Sequence, residues 1–102
     1  MTNVEINKTN YEQEKAARDK RLEKYSDAIQ KMVQGLTTKV IKELVAERKR
    51  QGITQQEMAN ITGILPPNLA RLESGKHIPT LVVLQKYASA LEKRIEIDVC
   101  DE

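Results

Sequence analysis

Aromatic residues, cysteine and histidine are scarce in this chain of 102 residues. Each scarcity limits the kind of core, cross-link or binding site that the protein can have. There is no Phe or Trp, so the core must be mainly aliphatic. Cys100 is the one cysteine, which excludes an intrachain disulfide. His77 is the one histidine, and no cluster has metal-ligand spacing, so the sequence predicts neither a metal site nor a cofactor.

Long hydrophobic runs are missing as well. No apolar run approaches the roughly 20 residues that cross a bilayer, and the opening residues MTNVEINKTN lack the basic-then-apolar pattern of a signal peptide. We therefore expect the protein in the cytoplasm. The sequence contains no phosphate-binding glycine loop and no nucleophile elbow, so it does not favour an enzyme.

Charge divides the chain into three parts. Residues 1–36 hold seven Lys/Arg and six Asp/Glu, residues 37–91 hold eight and four, and residues 92–102 hold two and five, giving net charges of +1, +4 and −3. The basic middle suits a phosphate-binding surface, although an ordinary solvated surface has the same character. We predict a tail and charged amphipathic helix, then a central domain, then a C-terminal strand with an acidic tail.

The N-terminal part favours a helix from about Tyr11 to Gln34. Its apolar residues recur at alternating intervals of three and four and form one stripe: Leu22, Tyr25, Ile29, Met32 and Leu36. The stripe is too short to establish a coiled coil. It either packs onto the central domain or forms a surface for a partner protein.

Glycines mark the ends of the predicted helices. Each follows a segment with helical periodicity, where a left-handed C-terminal residue is favoured: Gly35, Gly52, Gly63 and Gly75. After the N-terminal helix, the pattern therefore predicts four more, over about 37–51, 55–62, 66–74 and 81–91. Thr37 or Thr38 would cap the first of these four. The chain is expected to be all-α, with five helices.

The segment RIEIDV near the C-terminus alternates between charged and apolar residues. Ile95, Ile97 and Val99 would share one face, which predicts a short amphipathic β-strand. A lone strand needs a partner, and the simplest partner is the same strand from a second copy. We therefore expect this segment to pair in a homodimer.

Two of the predicted helices, 55–62 and 66–74, are short and are separated by three residues. Thr54 and Glu57 have the spacing of a capping box at the start of the first one, and Gly63 lies in the turn. This is a helix-turn-helix pattern. Such a pattern places the N-terminal side chains of the second helix in the DNA major groove, and the first helix directs its N-terminal amides at a phosphate.

The segment ERKRQGITQQEMANITGILPPNLARLESGKHIPTLVVLQKYASAL, residues 47–91, resembles the phage-repressor (Cro/XRE-like) helix-turn-helix family. Twelve positions carry the resemblance: Arg48, Gly52, Thr54, Gln55, Glu57, Ala59, Gly63, Arg71, Leu72, Glu73, Gly75 and Pro79. The resemblance implies a five-helix, lambda-repressor-like DNA-binding domain with an N-terminal helical extension.

The resemblance also implies roles for individual residues. Arg48 would form a structural ion pair with Glu73, and a partner is expected in any case because Arg48 lies on an apolar stripe. The phosphate-binding residues would be Thr54, Gln55, Lys76 and His77. The base-facing residues would be Pro66, Pro67, Asn68 and Arg71. Among the latter, Arg71 can bind a guanine edge or a phosphate and Asn68 can bind adenine.

Two features depart from the family pattern. Leu65 stands where Ser or Thr usually caps the recognition helix, and the missing cap costs about 1 kcal/mol. Pro66 and Pro67 occupy reading positions but cannot hydrogen-bond to bases. Proline is nevertheless favoured at the start of a helix, so the two prolines should stiffen that start. They should contact bases only through van der Waals contacts, for example with a thymine methyl.

The segment TLVVLQKYASALEKRIEIDV resembles the C-terminal part of HigA/HipB-like antitoxins and related regulators. In those proteins a final helix leads into a strand that pairs in the dimer, with Gly common where this chain has Glu92. The N-terminal charged helix also resembles the extension that many such antitoxins carry.

The predicted function is a transcriptional repressor that reads a palindromic operator in double-stranded DNA as a homodimer. One alternative is an antitoxin that represses its own operon and covers a protein toxin with the 11–36 helix. Another is a protein-interaction module with a disabled DNA face. Pro66 and Pro67 favour this last alternative, whereas Gln55, Asn68 and Arg71 oppose it.

Overall fold

The computed structural model describes residues 2–101, with side chains described from residue 10 onwards. The chain divides into two units, Met1–Val33 and Gln34–Glu102. Four helices lie in the described part: α1 (Thr2–Arg50), α2 (Gln55–Thr62), α3 (Pro66–Ser74) and α4 (Leu81–Ala90). None of these four is long and apolar enough to cross a membrane.

The prediction of five helices is wrong. The two helices expected over 11–34 and 37–51 belong to one helix, α1, which already begins at Thr2. Gly35 lies inside α1, and a β-carbon added there would meet no atom within 4 Å. A glycine in a helix interior costs only about 1 kcal/mol relative to alanine. A cost of that size does not end a helix of 49 residues, so α1 continues through Gly35.

The predicted C-terminal β-strand is also wrong, because residues 2–101 contain no strand. The backbone of Ile95 binds a side chain instead. The Gln85 amide nitrogen donates to the Ile95 carbonyl at 2.8 Å, and the Ile95 amide donates to the Gln85 oxygen at 3.3 Å. These bonds occupy the groups that a neighbouring strand would use. Ile95 packs against the core, whereas Ile97 and Val99 are exposed.

The core of the Gln34–Glu102 unit is mainly aliphatic, and all four helices contribute to it. Its buried apolar residues are Ile41, Leu44, Met58, Ala59, Leu69, Leu72, Leu84, Tyr87, Ala88 and Leu91. Leu81, the first residue of α4, is 47% exposed and lies outside this core. Because α2 contacts both α3 and α4, the first short helix of the predicted motif is supported from both sides.

The turn that ends α4 is centred on Glu92, whose φ of +60° lies in the left-handed region. The Glu92 amide donates to the Ser89 carbonyl and the Lys93 amide donates to the Ala88 carbonyl, both at 2.9 Å. This pair of bonds is a Schellman motif, which usually has Gly at this position. The turn keeps that geometry even though a side chain there costs about 1–2 kcal/mol.

Alanine substitutions at Gly35 and Gly63 should have opposite effects, although a β-carbon has space at both positions. Gly35→Ala should raise the free energy of unfolding by about 0.5–1 kcal/mol, because alanine is the better helix former. Gly63 follows α2 with a φ of +74°, so Gly63→Ala should lower it by about 1 kcal/mol. Urea denaturation followed by circular dichroism measures both. A loss of stability in Gly35→Ala would show that α1 is broken at this glycine.

Candidate nucleic-acid interface

The start of α2 is held by the Thr54 side-chain cap and by apolar contacts, and only this half of the predicted capping box is formed. The Thr54 hydroxyl accepts a hydrogen bond from the Glu57 amide and donates one to the Glu57 carboxylate, both at 3.1 Å. Met58 is fully buried, and Ile53 packs against the core just before the helix. These contacts give the first turn of α2 a defined position, with Thr54 and Gln55 exposed to solvent.

A buried ion pair connects α1 to α3. Arg48 is 7% exposed, and its guanidinium meets the Glu73 carboxylate with two bonds, Nε to Oε2 at 3.0 Å and Nη2 to Oε1 at 3.1 Å. The Arg48 Nη1 donates to the Ile53 carbonyl at 2.7 Å. One arginine side chain therefore joins α1, the turn before α2, and the last part of α3, and its two bonds to the carboxylate also fix their orientation.

Two further side chains complete the network around Glu73. The Tyr87 hydroxyl donates to Glu73 Oε2 at 2.6 Å, and the Gln55 amide donates to Glu73 Oε1 at 3.0 Å. Burial opposes the ionisation of Glu73, but hydrogen bonds from Tyr87, Gln55 and Arg48 outweigh it and hold its pKa below the usual value. Burial, together with the neighbouring Glu73 charge, raises the pKa of Tyr87 far above its usual value. The tyrosine hydroxyl thus stays protonated and remains a donor.

Sequence reasoning missed the polar role of Tyr87. The signal was available, because a buried tyrosine hydroxyl usually finds a hydrogen-bond partner. Gln55 was expected to contact a phosphate, and in the free protein its amide is bound to Glu73. An amide group carries two hydrogens, so one remains for a phosphate while the other fixes the side chain.

The start of α3 is poor in hydrogen-bond donors. Leu65 is the N-cap and makes no side-chain capping bond, and Pro66 and Pro67 fill the first two helical positions. The first helical bond runs from the Leu69 amide to the Leu65 carbonyl at 2.9 Å. Because proline has no N–H, Asn68 alone among the first three helical residues carries a backbone donor.

The two faces of α3 differ sharply. Leu69 and Leu72 are buried, whereas the outer surface carries the exposed residues Pro66, Pro67, Asn68 and Arg71. Lys76 and His77 are exposed in the loop that follows. An open cleft of about 470 Å³ brings Asn68, Arg71 and His77 together with Leu65 and Ile78. Two candidate base-facing residues, Asn68 and Arg71, and one candidate phosphate-binding residue, His77, therefore line one cleft.

The end of α3 is held by α1. Gly75 follows α3, and its carbonyl accepts hydrogen bonds from the Gln34 amide at 2.7 Å and from the Thr38 hydroxyl at 3.4 Å. Sequence reasoning missed Gln34 and treated Thr38 as a possible helix cap. Both side chains lie one turn apart on α1, so the helix that supplies Arg48 also fixes the C-terminal end of α3.

Removing the charge of Glu73 should destabilise the protein strongly. Glu73→Gln should lower the free energy of unfolding by about 3 kcal/mol, because the buried Arg48 loses its counter-charge. The matched control is Glu96→Gln, which breaks an ion pair with Arg94 whose side chains are 68% and 79% exposed and should change stability little. Urea denaturation at pH 7 compares the two variants. Equal decreases in the free energy of unfolding would show that the buried ion pair stabilises the fold no more than the exposed one.

Acid should weaken the same network. The folded-state pKa of Glu73 lies below its ordinary value of 4.5. The stability contributed by the ionised carboxylate is therefore fully present above about pH 4.5 and is lost as the pH falls through the folded-state pKa. The free energy of unfolding should drop in this range, and the drop should be smaller in Glu73→Gln. An unchanged pH profile in that variant would contradict the assignment.

Comparisons with known proteins agree with this geometry. The sequence model of the helix-turn-helix family matches residues 44–97. The chain is 36% identical over 62 residues to an uncharacterised HTH-type transcriptional regulator from Haemophilus influenzae, covering 61% of this chain and 63% of that protein. It is 35% identical over 57 residues to another from Methanothermobacter thermautotrophicus, covering 54% of this chain and 83% of that protein. No solved structure gives a significant match.

The matched region contains the Thr54 cap, α2, α3, α4 and the network around Glu73, so the similarity covers the elements that build the candidate interface. The alignment spans less than two thirds of the Haemophilus protein's own length. The family itself is clear from the matched half of the chain: the protein belongs to the Cro/XRE-like helix-turn-helix family of DNA-binding transcriptional regulators.

Proposed function

We propose that this protein is a transcriptional repressor that binds a palindromic operator as a homodimer. The observation that supports this most directly is the division of α3 into two faces. Leu69 and Leu72 attach one face to the core, while Asn68 and Arg71 stand exposed on the other. A short helix that is fixed on one side and polar on the other suits insertion into the major groove.

Direct base readout in this proposal depends on two side chains. Arg71 binds the O6 and N7 acceptors of a guanine, and Asn68 binds the N6 and N7 groups of an adenine. Both side chains are exposed and lie along one cleft with His77. Specificity for the operator is therefore concentrated in a small number of hydrogen bonds.

Phosphate contacts flank this reading surface. The exposed Thr54 and Gln55 start α2, where backbone amides and the helix dipole favour an anion. Lys76 and His77 follow α3 and are also exposed. The net charge of +4 over residues 37–91 adds a modest long-range attraction to DNA.

The homodimer is supported by apolar side chains near the C-terminus. Ile97 is 67% exposed and Val99 is fully exposed in the single chain. A second copy would cover these side chains around a two-fold axis, as in most homodimers. Such a dimer presents two α3 helices to half-sites about one DNA turn apart.

Binding to duplex DNA should weaken steeply with salt, because phosphate contacts release counterions. At a selected site, Arg71→Ala should lower the affinity about tenfold or more and relax the preference at one position. Lys86→Ala, which removes an exposed charge on α4, is the control and should bind nearly as the unchanged protein does. Fluorescence anisotropy over a range of salt concentrations measures both. A protein without salt-sensitive binding to any duplex would be an interaction module and not a repressor.

A second candidate function is that of an antitoxin that also represses its own operon. The observation in its favour is the stripe on α1, where Leu22, Tyr25 and Met32 are 57%, 67% and 52% exposed. In this proposal the stripe binds a protein toxin. Co-expression with the product of the adjacent reading frame tests it. A stoichiometric complex that Tyr25→Glu abolishes, with DNA binding intact, would support the antitoxin, and the absence of a complex would contradict it.

A further inference from the structure

We infer that the start of α3 recognises the 5-methyl groups of thymines in the operator. The residues concerned are Leu65, Pro66 and Pro67, which we call the apolar tip. This inference rests on the proposed function, because it specifies what the same surface binds. It goes further than the sequence by adding Leu65 to the two prolines and by committing to thymine as the base that these residues contact.

The composition of the apolar tip excludes polar readout. None of its three side chains carries a donor or an acceptor, and the two prolines lack backbone N–H groups as well. Leu65 is 66% exposed at a position where it makes no capping bond. Its side chain therefore contributes neither to the cap of α3 nor to the buried core, and it is available to contact a ligand.

The apolar surface continues beyond the tip. Ile78, in the loop after α3, is 49% exposed and lines the same cleft as Leu65. Asn68 and Arg71 line this cleft as well. Leu65 and Ile78 thus adjoin the two side chains that can bind base edges. The two prolines of the apolar tip follow Leu65 directly and are exposed as well, so a single bound half-site would contact both kinds of residue.

Thymine is the base that suits such a surface. In the major groove the thymine C5-methyl is the apolar group, whereas guanine, adenine and cytosine present acceptors or donors at their edges. A polar edge placed against the apolar tip would lose its hydrogen bonds to water without a replacement, which is costly. A methyl group placed there is removed from water and contributes favourably. The half-site should therefore hold one or more thymines next to the bases bound by Asn68 and Arg71.

Replacing thymine by deoxyuridine tests the inference, because it removes the methyl group and keeps every hydrogen-bonding group of the base. Preferred duplexes are first selected from a random pool with the full-length protein. Each thymine is then replaced singly, and affinity is measured by anisotropy at constant salt. At the positions under the apolar tip the affinity should fall about three- to fivefold per methyl, as expected for one buried methylene-sized group. At other thymines it should not change.

Protein variants identify the residues that read the methyl groups. Leu65→Ser removes the apolar side chain and supplies a capping hydroxyl, so the fold should gain stability while discrimination between thymine and deoxyuridine is lost at one position. Pro66→Ser and Pro67→Ser test the other two members in the same way. The matched control is Ile61→Ser, which removes a side chain that is 57% exposed and lines a different cleft, and it should keep full discrimination.

The outcomes separate this inference from the proposed function. Salt-sensitive binding with equal affinity for every deoxyuridine duplex would overturn methyl recognition and leave the repressor proposal standing. Discrimination that persists in all three tip variants would assign the methyl contact to other residues and overturn the inference as well. Failure to bind any duplex would overturn both.

Discussion

The position of α3 depends on the buried pair of Arg48 and Glu73. A guanidinium in an aliphatic core is tolerated only when its charge and its donors are matched. Here Glu73 supplies the charge, and Tyr87 and the Ile53 carbonyl accept further bonds from the same arginine. Among the described residues, every buried side-chain nitrogen and oxygen has a hydrogen-bond partner. The network can therefore fix the relative positions of α1, α3 and α4 without an unsatisfied polar group.

This constraint leaves the outer surface of α3 free to vary. The helix is attached through Leu69, Leu72 and Glu73, and its C-terminal end is bound by Gln34 and Thr38 on α1. The exposed positions make no contribution to this attachment and can be chosen for ligand contact. In this chain they combine an apolar start with two polar residues, and we propose that base contacts are divided between van der Waals contact and hydrogen bonding.

The sequence predicted the elements in which local signals and packing agree. The Thr54 cap of α2, the prolines that open α3 and the buried apolar faces of the short helices are all determined by neighbouring residues. The second half of the capping box does not form, because the Glu57 carboxylate accepts from the Thr54 hydroxyl. The predictions failed where one local sequence pattern is compatible with two different structures. Gly35 follows a helical segment, as a glycine at a helix end does, but a glycine is also tolerated inside a long helix, and α1 continues through it.

Long-range hydrogen bonds explain the remaining failures. The alternation around Ile95 is typical of a strand, yet the Gln85 side chain binds the backbone of Ile95 from α4. The contacts of Gln34 and Thr38 with Gly75 likewise join residues about 40 positions apart, which no local pattern reveals. For Tyr87, the sequence indicates that a buried hydroxyl needs a hydrogen-bond partner, but it does not identify that partner.

The central claim is that α3 enters the major groove of a two-fold symmetric site. Guanine methylation interference tests it most directly, because the methylated N7 atom lies in the major groove. The account predicts two clusters of interfering guanines with centres about 10 base pairs apart, one for each copy of α3. Bound duplexes in which no guanine methylation interferes, or in which a single cluster does, would contradict it.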